Sequence, residues 1–193
     1  MNLVERAKNL ILTPAAEWDK ISAETHTVQD LYTGWIMILA AIPALATFVG
    51  FSLVGVGAFG LSYRVPVMSG IAHAIASYLL ALGSVYVFAL VIDALSPTFG
   101  GEKNFLQAFK VAAFAPVASW LAGVFHLLPA LSILAILGLY SVYLLYVGLP
   151  RLMKTPAEKA MPYTAVVIVV GIVISILVGV VSALLLPGRV GAF

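Results

Sequence analysis

The chain of 193 residues is 63% hydrophobic and only 9% charged, which is far from the composition of a water-soluble domain. Its formal net charge of +2 is too small to indicate a nucleic-acid partner. The absence of cysteine excludes disulfides, iron–sulfur clusters and thiolate catalysis. We therefore expect an integral membrane protein.

The first part of the chain, residues 1–33, predicts two short amphipathic helices. Apolar residues recur at helical spacing in residues 2–12, at Leu3, Ala7, Leu10 and Ile11. Thr13-Pro14 resembles an N-cap followed by proline at the first helical position, so we expect a second helix that runs to about Glu24. An apolar stripe of this kind serves equally for lying on lipid and for packing on other helices, so both placements stay open.

Five apolar runs follow, and each is long enough to cross a hydrocarbon core about 30 Å thick as a helix of about 20 residues. Helices are expected because every span must satisfy its own backbone hydrogen bonds in lipid. The predicted spans are residues 35–57, 66–92, 108–128, 131–149 and 163–186. The fold class is therefore all-α and polytopic. The five-helix domain covers residues 34–187, and residues 188–193 form a short tail.

The basic residues predict the orientation of these spans. Eight of the ten Lys and Arg residues lie before the first span, in the second loop or in the fourth loop, which are all on one side of a five-span protein. Basic residues near the ends of spans favour the cytoplasmic side. We therefore expect a cytoplasmic N-terminus and a C-terminus outside.

A stripe of small residues occupies the last predicted span. Its members, each four residues apart, are Gly171, Ser175, Gly179 and Ala183. Small side chains allow close approach of another helix in lipid, where no hydrophobic effect acts between helices. Packing inside one bundle is favoured, because five helices already supply partners. A homodimer seam is the alternative.

Two histidines, His73 and His126, are the most polar residues well inside the spans, and both fall in the outer half. They are candidates for a proton-sensing or proton-relaying pair. Neutral imidazoles bonded to backbone, water or headgroups are the simpler interpretation, because neither has a carboxylate within its own span. The charged residues around the second loop favour ordinary interfacial ion pairing; these are Asp93, Glu102, Lys103 and Lys110.

The sequence contains no P-loop, no His-Glu-x-x-His and no Gly-x-Ser-x-Gly. We therefore expect no catalytic residues, no cofactor and no metal site. An intramembrane hydrolase would need a serine within hydrogen-bond reach of one of the histidines.

A short motif precedes the first span, Asp30-Leu31-Tyr32, followed by Thr33-Gly34. Eukaryotic members of the Yip (Ypt/Rab-interacting protein) family carry Asp-Leu-Tyr-Gly-Pro at this place, and the chain resembles that family. The similarity is greater to its bacterial branch, through the stretch 13–18 and through Gly100-Gly101 with Asn104 and Phe105. The resemblance implies five spans with a cytoplasmic N-terminus, here in the inner membrane of a bacterium.

The leading hypothesis is a non-enzymatic protein that interacts with membrane lipids, with a membrane-protein partner or with a second copy of itself. Asp30, Leu31 and Tyr32 are the candidate interaction residues. The competing hypothesis is a small transporter or channel, with a pathway near the first and third spans, which Pro43 and Pro116 kink, and near the two histidines.

Overall fold

The computed structural model describes residues 2–58 and 61–184. In this part of the chain, five helices are long and apolar enough to cross a membrane, which confirms the all-α polytopic fold with two short helices before the spans. The helices are α1 (Leu3–Leu12), α2 (Pro14–Ala23), α3 (Val28–Val54), α4 (Val67–Phe99), α5 (Phe105–Leu127), α6 (Pro129–Met153) and α7 (Ala157–Leu184). Two short antiparallel strands, β1 (Val56–Ala58) and β2 (Leu61–Tyr63), connect α3 to α4. The predicted tail of residues 188–193 lies outside the described residues.

The long helices extend beyond the apolar runs because polar caps set their ends. At the start of α3, the Thr27 hydroxyl accepts a hydrogen bond from the Asp30 backbone N–H at 3.1 Å. The Asp30 carboxylate accepts one from the Thr27 N–H at 3.0 Å. This reciprocal pair is a capping box, which satisfies backbone donors that a helix start leaves free. The helix therefore begins at Val28, whereas the apolar run marked 35 as the start of the span.

Helix α5 is irregular at its proline, whereas α3 stays helical through Pro43, from Met37 to Phe48. Pro116 has no N–H to donate and interrupts α5, which ends in a tighter 3-10 turn at Gly123–Leu127. The Trp35 indole N–H of α3 donates to the Ala113 carbonyl just before this break, at 2.9 Å. Side-chain donors from a neighbouring helix are one way in which interrupted helices are tolerated in membranes.

Helix α5 is the centre of the bundle. In its most apolar stretch 72% of the residues are buried inside the protein, against 11–33% in the other four spans. Every residue from Ala108 to Phe114 is buried. Helices α3, α4 and α6 pack around it, and α7 packs on α4 and α6.

The two N-terminal helices pack on the bundle, which decides between the two placements left open by the sequence. Trp18 and Ile21 are fully buried. The Tyr140 hydroxyl of α6 donates to the Ile11 carbonyl at 2.9 Å, and Arg151 pairs with Asp19 at 3.2 Å. These contacts are eleven residues apart on α6, or about 16 Å along it, and they join α6 to the end of α1 and to α2. We call this part of the bundle the docked end, and the part that carries β1 and β2 the far end.

Candidate functional site

The first polar group of the docked end is centred on Lys110, which is almost completely buried on α5. Its ammonium donates to the Ile21 carbonyl at 2.9 Å and to the Glu24 carbonyl at 2.6 Å. The last carbonyls of a helix lack intrahelical partners and carry the negative end of its dipole, so the cation completes the C-terminus of α2. The predicted ion pairing around the second loop is wrong for Lys110, whereas Glu102 does pair, with Lys154 at 2.7 Å.

A second polar group ties α1 to α2. The Arg6 guanidinium lies 2.9 Å from the Glu17 carboxylate and donates to the Glu24 carboxylate at 2.6 and 2.8 Å. His26 lies 2.8 Å from Glu24. Burial acts to raise the pKa of Glu24, but the hydrogen bonds and charges of Arg6 and His26 outweigh it, so the pKa is below its ordinary value. These residues and Lys110 together form a polar clasp, defined as Arg6, Glu17, Glu24, His26 and Lys110.

The predicted interaction residues at the start of α3 all have contacts within the fold. Asp30 closes the capping box, and Leu31 is buried. The Tyr32 hydroxyl donates to the Leu82 carbonyl of α4 at 2.9 Å, and its ring packs on Phe109 of α5 with centroids 5.4 Å apart. The motif therefore anchors α3 to two neighbouring helices. A role in binding a partner stays a prediction.

The two histidines are not hydrogen-bonded to each other or to a serine in the residues that the structure describes. His126 Nδ1 lies 3.1 Å from the Gly123 carbonyl of its own helix. His73 Nδ1 is buried without a hydrogen-bond partner among those residues. Around His126 the helices are closely packed, because a Cβ on Gly50 of α3 would overlap the His126 carbonyl and one on Gly123 would overlap Pro43.

The small-residue stripe faces two different surroundings. A Cβ at Gly171 would lie 3.3 Å from the Phe88 ring of α4, so this end of the stripe packs inside the bundle. Ser175 donates to the Gly171 carbonyl at 2.8 Å. Gly179 has open space beside it, and the side chain of Ala183 lies outside the described part. Homodimer formation through this stripe stays a prediction.

An apolar groove opens beside the stripe, with a cavity volume of about 580 Å³. It begins where α7 separates from the bundle beyond Tyr163 and Val167, which are both fully buried. Its floor is α5 at Ala115 and Pro116, and its sides are α4, α6 and α7. Each of these four helices contributes one serine to the lining; they are Ser84, Ser119, Ser141 and Ser175. The groove was not predicted from the sequence, although the small residues of the last span were a signal for it.

Within residues 2–58 and 61–184, no three His, Cys, Asp or Glu side chains lie close enough together to hold a metal ion.

Five apolar helices, one of them buried at the centre of the bundle, with a helical pair docked at one end, define a polytopic α-helical membrane protein. The model of the Yip1 domain matches residues 8–179, so the chain belongs to the Yip1 domain family, as its resemblance predicted. The chain is 24% identical over 166 residues to "Inner membrane protein YohC" of Escherichia coli strain K12. The same identity is found with the protein of that name from E. coli O6:H1. Each alignment covers 83% of this chain and 85% of the relative. No solved structure matches the chain significantly.

Proposed function

We propose that this chain works without catalysis, as a membrane-embedded interaction protein that holds another membrane component in its apolar groove. The observation that carries the proposal is the groove itself, a concavity of about 580 Å³ between four helices in the apolar part of the bundle. That volume lies within the range of about 300–1,000 Å³ typical of binding sites for small molecules. The component is a membrane lipid, a membrane protein or a second copy of the chain.

We further propose the inner membrane of a bacterium as the location, with the docked end and the N-terminus cytoplasmic. Both relatives are named as inner membrane proteins, which supports this location. The distribution of basic residues supports the orientation, because Arg151, Lys154 and Lys159 lie at the same end as the polar clasp.

A transport pathway between the first and third spans has little support from the packing. Gly50 and Gly123 bring α3 and α5 into backbone contact at the place where the pathway would run. The groove lies on another side of α5, against α4, α6 and α7, and its lining includes neither of the two histidines.

Photocrosslinking in living cells tests the proposal. A photoreactive amino acid is placed at Ile172, which lines the groove, and at Val173, which does not. The two are a matched pair, because they are adjacent on α7 and exposed to 53% and 49%. A discrete adduct, with a lipid, another protein or a second copy, that forms at Ile172 but not at Val173 supports the function. Equal, diffuse labelling at the two positions contradicts it.

A further inference from the structure

We propose that the groove binds one acyl chain of a membrane phospholipid. This inference rests on the proposed function and names the class of component that the groove holds. Its grounds are the chemistry of the lining, the dimensions of the groove and its depth along the helices.

The lining offers a hydrocarbon-like surface. None of the described residues that line the groove is charged. Three of its four serine hydroxyls donate to backbone carbonyls: Ser84 to Ala81, Ser119 to Gly138 and Ser175 to Gly171, each at 2.8 Å. The Ser141 hydroxyl accepts from the Ser119 backbone N–H at 3.0 Å. Hydroxyls satisfied within the protein do not need a polar ligand, whereas a buried charged headgroup would need partners that this lining does not supply.

The size of the groove favours a chain over a helix. On α5 and on α7 the lining extends over eight residue steps, from Ala112 to Trp120 and from Ile168 to Ile176, or about 12 Å. A helix with side chains is about 10–12 Å wide. The groove is therefore only about as long as one helix is wide, so a crossing helix would contact it over a short distance, whereas an extended acyl chain is much narrower and can lie along its full length.

The depth of the groove is also that of lipid chains. Its floor lies 7–15 residues from the first residue of α5, or about 10–22 Å along the helix, and α7 borders it at about 16–28 Å. At these depths both helices are apolar, and the groove lies further along α5 than Lys110 of the polar clasp. A headgroup at the membrane surface can therefore place its acyl chain at this depth.

The experiment uses the full chain in nanodiscs with a phosphatidylglycerol probe that carries a diazirine in its acyl chain. The adducts are located by mass spectrometry of peptides. We expect them to concentrate on three groove residues, Trp120 of α5 and Ile172 and Ile176 of α7. Val173 and Leu177, which are exposed on α7 outside the groove, should be labelled less. Labelling that is equal on both sets would mean ordinary annular lipid and would overturn the inference.

Two matched variants on α7 add a second measurement. Ser175→Phe fills the groove, and Gly179→Phe adds the same side chain one turn further along, where nothing lies within 4 Å. We expect Ser175→Phe to reduce groove adducts roughly tenfold, a change of about 1.4 kcal/mol in binding, and Gly179→Phe to leave them unchanged. Unchanged adducts in a folded Ser175→Phe protein count against the acyl-chain site. If that variant does not fold, the distribution of adducts on the unaltered chain still decides.

The outcomes also separate the inference from the proposed function. If Ile172 captures a protein or a second copy in cells while the lipid probe shows no preference for the groove, the acyl-chain inference fails and the interaction function stands. If neither experiment distinguishes the groove from the neighbouring surface, both fail.

Discussion

The docked end and the far end of the bundle are held together by different interactions. At the docked end, α1 and α2 bury large side chains, and charged residues of both helices belong to the polar clasp. At the far end, α3 and α5 meet through glycine, with Gly50 against the His126 carbonyl and Gly123 against Pro43. Helices in lipid gain little from burying apolar surface against one another and associate through close packing, whereas burial and ion pairing stabilise a region next to water. The docked end is therefore stabilised as proteins are in water, and the far end as helices are in lipid.

The strongest test of this contrast replaces the same residue type in each region. Ile21 of α2 is fully buried, and Ile133 of α6 is 75% exposed near the far end. We expect Ile21→Ala to lower the free energy of unfolding by about 3 kcal/mol through lost burial and a cavity. Ile133→Ala should change it by less than about 0.5 kcal/mol, because most of its surface contacts no other part of the protein. Denaturant unfolding in detergent micelles measures both, and equal effects would remove the contrast.

The clasp is tested by Lys110→Met, which keeps the length of the side chain and removes its donors. Because the Ile21 and Glu24 carbonyls lose their partner, we expect a loss of about 2 kcal/mol, with faster proteolysis of α1 and α2. Lys103→Met is the control, since Lys103 is exposed in the loop before α5. If the two variants resist protease equally, the ammonium does not hold the N-terminal helices.

The fit of α2 on α6 depends on Gly148. A Cβ there would overlap the Trp18 indole ring. We expect Gly148→Ala to cost about 1–2 kcal/mol and to increase hydrogen exchange in α2, because the ring must move away. Gly83→Ala on α4 is the control, since nothing lies within 4 Å of its added methyl group and alanine is the better helix former. Destabilisation by Gly83→Ala of the same size would show that the effect is not due to Trp18.

The smallest expected effect is an acid dependence of docking. The pKa of Glu24 is below its ordinary value of 4.5 in the folded chain, so its contribution is present above pH 4.5 and is lost as the pH falls through the lowered pKa. Hydrogen exchange of α1 and α2 should therefore increase at low pH, and Glu24→Gln should remove this part of the change. The same acid response in Glu24→Gln would show that another group causes it.

Particular residues show how far sequence reasoning extends. Thr13-Pro14 predicted the start of a second helix, and α2 begins at Pro14. Lys110 was predicted to take part in interfacial ion pairing. The carbonyls that it contacts are 86 and 89 residues away in the chain, so no local pattern indicates the contact. Asp30, Leu31 and Tyr32 were noted as a motif, but their contacts with Thr27, Leu82 and Phe109 became visible only in the folded chain.

Sequence alone determined the solvent of this protein, the number of its spans and its resemblance to a family. These follow from hydrophobic length, from the need of each span to satisfy its own backbone, and from short ordered motifs, all of which are local along the chain. Only the tertiary structure decided that α1 and α2 dock, that Lys110 caps α2 and that α7 separates from its neighbours to leave a groove. These features depend on contacts between distant segments. An apolar or amphipathic pattern is compatible with several such arrangements and does not select one of them.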